Sequence, residues 1–328
     1  PGLGLGGMSD AISPAAEEMA DAELLEEYLL DAEVQGLTDK TLVTYRSDLE
    51  HFIDWLDCDL LEVDRHDLKG FLAYLKNDCT ARDGTTGLKP NTRNTYFSAI
   101  SSCFKYLVWE GYVDDNPVPA FRERYMDTSR SSGTSKRQLI SVEEMSSLVH
   151  SILNPRNRAL VLVLAKTGIR RGELVSIDVD DVNWDEHSIT LKPTPKRSNR
   201  LVFFDGECAQ SLRRWLDARA NDDRIETDAL FTNQHGTRLQ RNSIYRAVTK
   251  HAQKVDLHDP ESDDLKERFT PHCCRHWFTT HLRKAGMQRE FIKELRGDTR
   301  GDAIDIYDHI DRAELRQAYL AHIPSLGL

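Results

Sequence analysis

The sequence predicts a mainly α protein in two parts: a four-helix N-terminal unit, then a mixed α/β domain, mostly helical with a small antiparallel sheet. Three patterns predict it. Leu42, Tyr45, Leu49, Phe52 and Leu56 recur at spacings of three and four, the apolar stripe of an amphipathic helix. Residues 158–166 hold the apolar run Ala159, Leu160, Val161, Leu162, Val163 and Leu164, long enough for a buried helix, and Gly168 breaks it. Residues 188–191 and 200–204 read as two short strands joined by a turn.

The elements follow in order. Residues 13–34 read as a helix whose acidic N-terminal half suits the positive end of the macrodipole. Thr38 is the expected N-cap of the striped helix, and 64–75 is a third helix. Residues 83–89 contain two glycines and read as a loop. Asn91 or Thr92 is expected to cap a fourth helix with Phe97, Ile100, Phe104, Leu107 and Val108 on one face, stopped by Gly111 and Asn116-Pro117. Residues 122–137, with four serines, two threonines and a glycine, read as a basic linker. Ser141 to Glu144 has capping-box spacing. A short helix from about Arg170 turns Leu174 and Ile177 inward, and helices are expected at 212–220, 243–255, 271–284, 288–295 and 311–321. Residues 258–268 read as a polar loop. The predicted organisation is a tag remnant and disordered start at 1–12, a helical domain at 13–121, the linker at 122–137 and a second domain at 138–328.

A chain of 328 residues can bury two ordinary cores. No apolar run approaches the roughly 20 residues of a membrane span, so no membrane partner is expected. Six cysteines without framework spacing point to reduced thiols in a cytoplasmic protein. The net charge of −11 argues against a nucleic-acid partner until the distribution is considered. Residues 10–31 carry eight acids and no base, 192–200 carry four bases and no acid, and 122–137 carry five bases and two acids. An acidic shell with local basic patches suits a protein working in concentrated salt.

The chemistry-bearing residues come in the order arginine, lysine, histidine, arginine, tyrosine. Arg170 follows a Gly turn in Thr167-Gly168-Ile169-Arg170-Arg171-Gly172-Glu173-Leu174. Lys192, Lys196, Arg197 and Arg200 lie in the basic hairpin, His272 and Arg275 in Pro271-His272-Cys273-Cys274-Arg275-His276, and Tyr307 in Ile306-Tyr307-Asp308-His309-Ile310. Cleaving a phosphodiester needs a nucleophile, neutralisation of the non-bridging oxygens and a proton for the leaving oxygen. Tyr307 can attack, but a free phenol is ionised only about one time in a thousand at neutral pH. The guanidinium forks of Arg170 and Arg275 match phosphate and would stabilise the phenolate. Lys196, with Lys192 as its substitute, can protonate the leaving hydroxyl. Lys89, Arg93 and Lys105, on or beside the fourth helix, are candidate DNA-phosphate contacts, as are Lys192, Arg197 and Arg200. Zinc at His272, Cys273, Cys274 and His276 is rejected, because consecutive ligands on one helix cannot wrap a tetrahedral ion.

This ordered set resembles the tyrosine recombinase (phage integrase) family. Thr167 to Leu174 looks like the family's TG-hydrophobic-R-x-x-E-L motif, His272 and Arg275 match its H-x-x-R, and Tyr307 matches its nucleophile. The resemblance implies a core-binding domain at 13–121 that clamps DNA, a catalytic domain at 138–328, and catalysis by Arg170, Lys196, His272, Arg275 and Tyr307. It further implies a 3′-phosphotyrosyl intermediate, no cofactor, and a homo-oligomer on double-stranded DNA, two copies per site and four in synapsis. The lysine turn differs in length from the family's. Asp298 stands where a histidine or tryptophan usually donates to the phosphate; it is expected in the catalytic set, either orienting Arg275 or His272 or binding phosphate only when protonated. Leu315 and Tyr319, on one face of the last helix, would pack in cis or dock on a neighbouring subunit. A type IB topoisomerase-like enzyme and a non-catalytic DNA-binding protein are the alternatives.

Overall fold

The computed structural model describes residues 20–81, 84–126, 138–193, 200–262, 264–298 and 310–328. Two compact units divide the chain, 1–133 and 134–328.

The first unit is helical: α1 (Asp21–Val34), α2 (Asp39–Trp55), α3 (Arg65–Asn77), α4 (Pro90–Glu110) and α5 (Val118–Tyr125). Thr38 caps α2 as expected, its hydroxyl accepting the Thr41 N–H at 3.4 Å. Leu49 and Phe52 of the α2 stripe are fully buried, and Leu42, Tyr45 and Leu56 pack against the same core. The start of α4 differs from expectation. Pro90 is its first residue and Lys89 the flanking one, so neither Asn91 nor Thr92 is the cap. Proline's fixed φ and missing N–H suit the first helical position. Phe97, Ile100, Phe104 and Leu107 are buried, but Val108 is exposed. The expected four helices become five among the described residues. Val118 and Phe121, three apart, are buried and hold α5 on the core, so 122–125 are helix rather than linker. Residues 127–137 and 1–19 lie outside the described residues.

The second unit is built around α7 (Pro155–Thr167), in which every residue from Ala159 to Thr167 is buried. Each fully buried valine or leucine contributes about 1.5–3 kcal/mol, so this helix anchors the domain. α6 (Val142–Ser151) precedes it, opened by the Ser141–Glu144 capping box. α8 (Arg171–Ser176) follows, with Leu174 and Ile177 turned inward. An antiparallel sheet in the order β1 (Val182–Asn183), β2 (Ser188–Leu191), β3 (Arg200–Phe203) comes next, its register pairing Leu191 with Arg200 and Ser188 with Phe203. α9 (Gly206–Ala220), α10 (Arg241–Gln253), α11 (Pro271–Lys284), α12 (Arg289–Arg296) and α13 (Arg312–His322) complete it. α9 and α11 pack directly on α7. The last helix docks in cis: Leu315 and Tyr319 are buried, and the Tyr319 hydroxyl donates to the Lys166 carbonyl at 2.9 Å. No described helix is long and apolar enough to cross a membrane.

Candidate active site

Three helix ends and one helix face meet here. α7 stops at Gly168, whose φ of 62° is easy for glycine, and a Cβ there would run into the Phe278 ring. The chain then turns to Arg170, just ahead of α8. Glu173, three residues on, accepts the Arg170 backbone N–H at 2.6 Å and fixes the start of α8. The same carboxylate lies 3.6 Å from the Arg170 guanidinium. It also accepts two bonds from Arg200 at 2.6 and 3.0 Å, a fork-to-fork pair across 27 residues of chain. Burial pushes the Glu173 carboxyl up, but the bonds from Arg200 and the Arg170 N–H outweigh it and hold the group below its ordinary value.

α11 supplies Arg275, only 3% exposed. It donates to the Gly168 carbonyl at 2.7 Å, and its Nη2 donates to the Arg296 carbonyl at 2.9 Å and to Asp298 Oδ1 at 3.1 Å. Burial, then the charges of Arg170 and Arg296, bring its pKa down to about 10, so it stays protonated at neutral pH. α12 closes the site with its C-terminus. The Leu295 carbonyl accepts from Arg200 Nε at 3.2 Å, and the Arg296 carbonyl accepts from Arg170 Nη1 at 3.3 Å as well as from Arg275. A helix C-terminus carries partial negative charge, so it is a favourable place to gather cations. Gly297, at φ 59°, makes the turn; a Cβ there would lie 2.7 Å from Arg200 Cδ. Asp298 follows, with Oδ1 3.5 Å from Arg170 Nη2 and Oδ2 3.0 Å from Arg296 Nε. Arg170 and Arg275 thus meet on one anion. One is buried and fixed, and the other is 36% exposed.

A profile of the phage integrase family matches residues 138–314, and one of the phage integrase SAM-like domain matches 22–125. The chain belongs to the phage integrase family. It is a tyrosine recombinase. It is 30% identical over 298 residues to tyrosine recombinase XerC of Herpetosiphon aurantiacus, covering 88% of this chain and 92% of that one. It is 28% identical over 320 residues to tyrosine recombinase XerD of Pseudomonas putida, covering 95% and 97%. Two solved structures share its fold. One is the Tn1549 transposon integrase in complex with transposon right end DNA (TM-score 0.68, 17% identity, 91% of this chain and 98% of that). The other is a lambda integrase dimer bound to a COC′ core site (TM-score 0.64, 17% identity, 90% and 100%).

In this recombinase the residues expected at the site fall into three groups. Arg170, Arg275 and Asp298 are together, and His272 is exposed one turn before Arg275 on α11. Cys273 and Cys274, between them, face into the core. Tyr307, Lys196 and Arg197 lie outside the described residues, as does His309. Arg200 and Lys192 are placed differently from expectation. Arg200 is a strut: its side chain is 8% exposed and held by Glu173 and Leu295, so it offers no free fork to DNA. The Lys192 ammonium sits between Asp178 and, at 3.6 Å, Asp181, and the Asp178 bond raises its pKa. That works against giving up a proton to a leaving group. Lys89 and Arg93 are about 40° apart around α4, and Lys105 is about 120° and 18 Å further along the same helix.

Sequence reading assigned no role to Glu173, although its position three after Arg170 is an N3-carboxylate signal. It also missed Lys166. That residue is fully buried, and its ammonium donates to Asp205 at 2.6 Å, Glu207 at 2.7 Å and the Pro324 carbonyl at 2.6 Å.

Proposed function

We propose that this recombinase cuts and rejoins double-stranded DNA at specific sites. Tyr307, its proton released to solvent, attacks the scissile phosphorus as the phenolate that Arg170 and Arg275 stabilise, the bond to the 5′ oxygen breaks, and that oxygen takes a proton from Lys196. The strand is then held as a 3′-phosphotyrosyl ester until a 5′-hydroxyl attacks it and Tyr307 leaves. Every step exchanges one phosphoester for another, so no nucleotide is consumed. Arg170 and Arg275 hold the non-bridging oxygens, with His272 beside them at the mouth. The meeting of these two guanidinium groups on a single carboxylate oxygen supports this reading most directly, because a non-bridging phosphate oxygen is an anionic acceptor of the same kind. Integration, excision and dimer resolution all use this chemistry, with two copies on each site and four in synapsis. The protein would act in the cytoplasm. The acidic surface, including exposed Glu23, Glu26, Glu27 and Glu33 of α1, suits concentrated salt.

The test is covalent trapping. Genomic fragments carrying nicks are incubated with the protein, and DNA that stays attached after denaturation is sequenced. A recurrent site, lost with Tyr307→Phe, is the expected result. Attachment unaffected by Tyr307→Phe would overturn the assignment of the nucleophile. Relaxation of supercoils without site preference would select a topoisomerase. A non-catalytic binding protein is the one other reading with an observation behind it, the acidic Asp298 against Arg170 and Arg275; specific binding without any adduct would select it. Folding and solubility unchanged from low to molar salt would remove the support for a saline setting.

A further inference from the structure

We propose that Asp298 is an internal stand-in for phosphate: its carboxylate occupies a phosphate-oxygen seat on Arg170 and Arg275 and must swing aside when a DNA phosphate is bound. This deepens the function proposed above and rests on its assignment of the two arginines to phosphate.

The argument is an account of donors. A guanidinium has five N–H groups, two of them on Nη2. On Arg275 the Nη2 atom serves the Arg296 carbonyl at 2.9 Å and Asp298 Oδ1 at 3.1 Å, so both of its hydrogens are committed. Nη1 gives one hydrogen to the Gly168 carbonyl at 2.7 Å. The two carbonyls belong to backbone at helix ends, fixed by α7 and α12. Asp298 is different. It is a side chain beyond the end of α12, 29% exposed, and rotation about one bond removes it. The same Oδ1 reaches Arg170 Nη2 at 3.5 Å, so it sits on both guanidinium groups. An arriving phosphate oxygen that bridges the two arginines needs that place, and like charges cannot share it. The Arg296 Nε contact to Oδ2 at 3.0 Å adds a third cation on the same carboxylate.

The arrangement has two consequences. Without DNA, the buried Arg275 has a counter-charge and the pair keeps its geometry. With DNA, the recombinase gains only the difference between a phosphate and its own carboxylate at this seat. Asp298 is therefore a positioning residue that lowers affinity for phosphates in general, and a substrate must make up the loss through other contacts.

The probe is inorganic phosphate, followed by phosphorus NMR at low ionic strength on the full chain. Asp298→Asn is expected to bind phosphate roughly tenfold or more tightly than the parent, since a unit charge at this distance is removed in a partly buried setting. The Asp298→Glu change, which keeps the charge, is expected to stay near the parent. Adding Arg170→Ala to Asp298→Asn should abolish the gain. Unchanged or weaker binding in Asp298→Asn, with the Arg170 dependence intact, overturns the stand-in while leaving the arginines as the phosphate seat. No phosphate binding in any variant, or binding indifferent to Arg170, overturns the seat itself. If Asp298→Asn fails to fold, the parent answers through the carbon-13 signal of the Asp298 carboxyl. A saturable shift on adding phosphate supports the exchange, and phosphate binding without a shift overturns it.

Discussion

Lys166 and Arg275 are buried cations on neighbouring helices of one domain, α7 and α11, yet their surroundings differ in kind. Lys166 has three donors and three acceptors, Asp205, Glu207 and the Pro324 carbonyl. Glu207 is in turn saturated: it accepts the backbone N–H groups of Leu326, Gly327 and Leu328 and the Ser325 hydroxyl. Around Arg275, among the described residues, Arg170, Arg200, Arg275 and Arg296 share two carboxylates, Glu173 and Asp298. The lysine cluster is closed and ties the C-terminal segment to the body of the domain. Among the described residues the arginine cluster has more cations than carboxylates, and it keeps a partly exposed side. A buried charge whose partners complete it is holding structure together. One that shares its partners with other like charges is poised for a ligand.

The largest effect should come from the closed cluster. Lys166→Ala leaves two carboxylates without their ammonium, a loss of about 3–5 kcal/mol in stability. Urea denaturation should register this, while the rate of adduct formation per folded molecule stays within a few fold. If the rate collapses and stability does not, the two clusters are not doing different jobs. The converse variant, Arg170→Ala, should lower adduct formation on a trapped site by about 10²–10³-fold, the cost of removing one donor from a transition-state anion. Its stability should change by less than about 1 kcal/mol, because the pair to Glu173 is partly exposed. A stability loss as large as that of Lys166→Ala would make Arg170 a strut like Arg200.

The contrast also explains what the sequence could reveal. Stripes and caps are local, so the burial of Leu49 and Phe52 and the Ser141–Glu144 box were legible from spacing alone. The helix α5 was hidden because it is short and three of its eight residues, Arg122, Glu123 and Arg124, are charged, while its buried side chains are just Val118 and Phe121. β1 has two residues, too few to show alternation. The arginines of the site were found because the order of motifs along the chain carries them. Their partners were not. Arg200 reads as a hairpin cation for DNA until Glu173, 27 residues away, is seen to hold it. Lys166 reads as the polar end of an apolar helix, and its partners are 39, 41 and 158 residues distant. Only the folded chain brings such charges together.

Acid should separate the clusters further. Burial would raise the Glu207 carboxyl, but its bonds to Lys166 and to the Leu326 and Leu328 N–H groups outweigh burial and hold it at about 2. Its folded value lies below the ordinary glutamate value of 4.5, so its contribution is complete above that value. The contribution fades as pH falls from about 4.5 toward 2. Denaturation of the parent and of Glu207→Gln at neutral pH and across that window should show the gap between them narrowing with acid. A constant gap would mean that Glu207 acts by shape and not by charge.

The smallest effect concerns a lysine that belongs to neither cluster. Lys192 pairs with Asp178 and Asp181, and Asp178 is bound by Arg238 as well. Its ammonium is exposed, so the pair is worth about 0–1 kcal/mol. The bond to Asp178 raises its pKa, which makes it a poorer acid toward a leaving oxygen. Lys192→Ala should therefore change adduct formation by only a few fold, with little loss of stability. Lys196→Ala should slow it much more on an intact strand. On a substrate whose 5′ leaving oxygen is replaced by sulfur the Lys196 defect should shrink, because a thiolate leaves without a proton. If Lys192→Ala is the variant rescued by the sulfur substitution, the two lysines exchange roles, and the pair to Asp178 must open during the reaction.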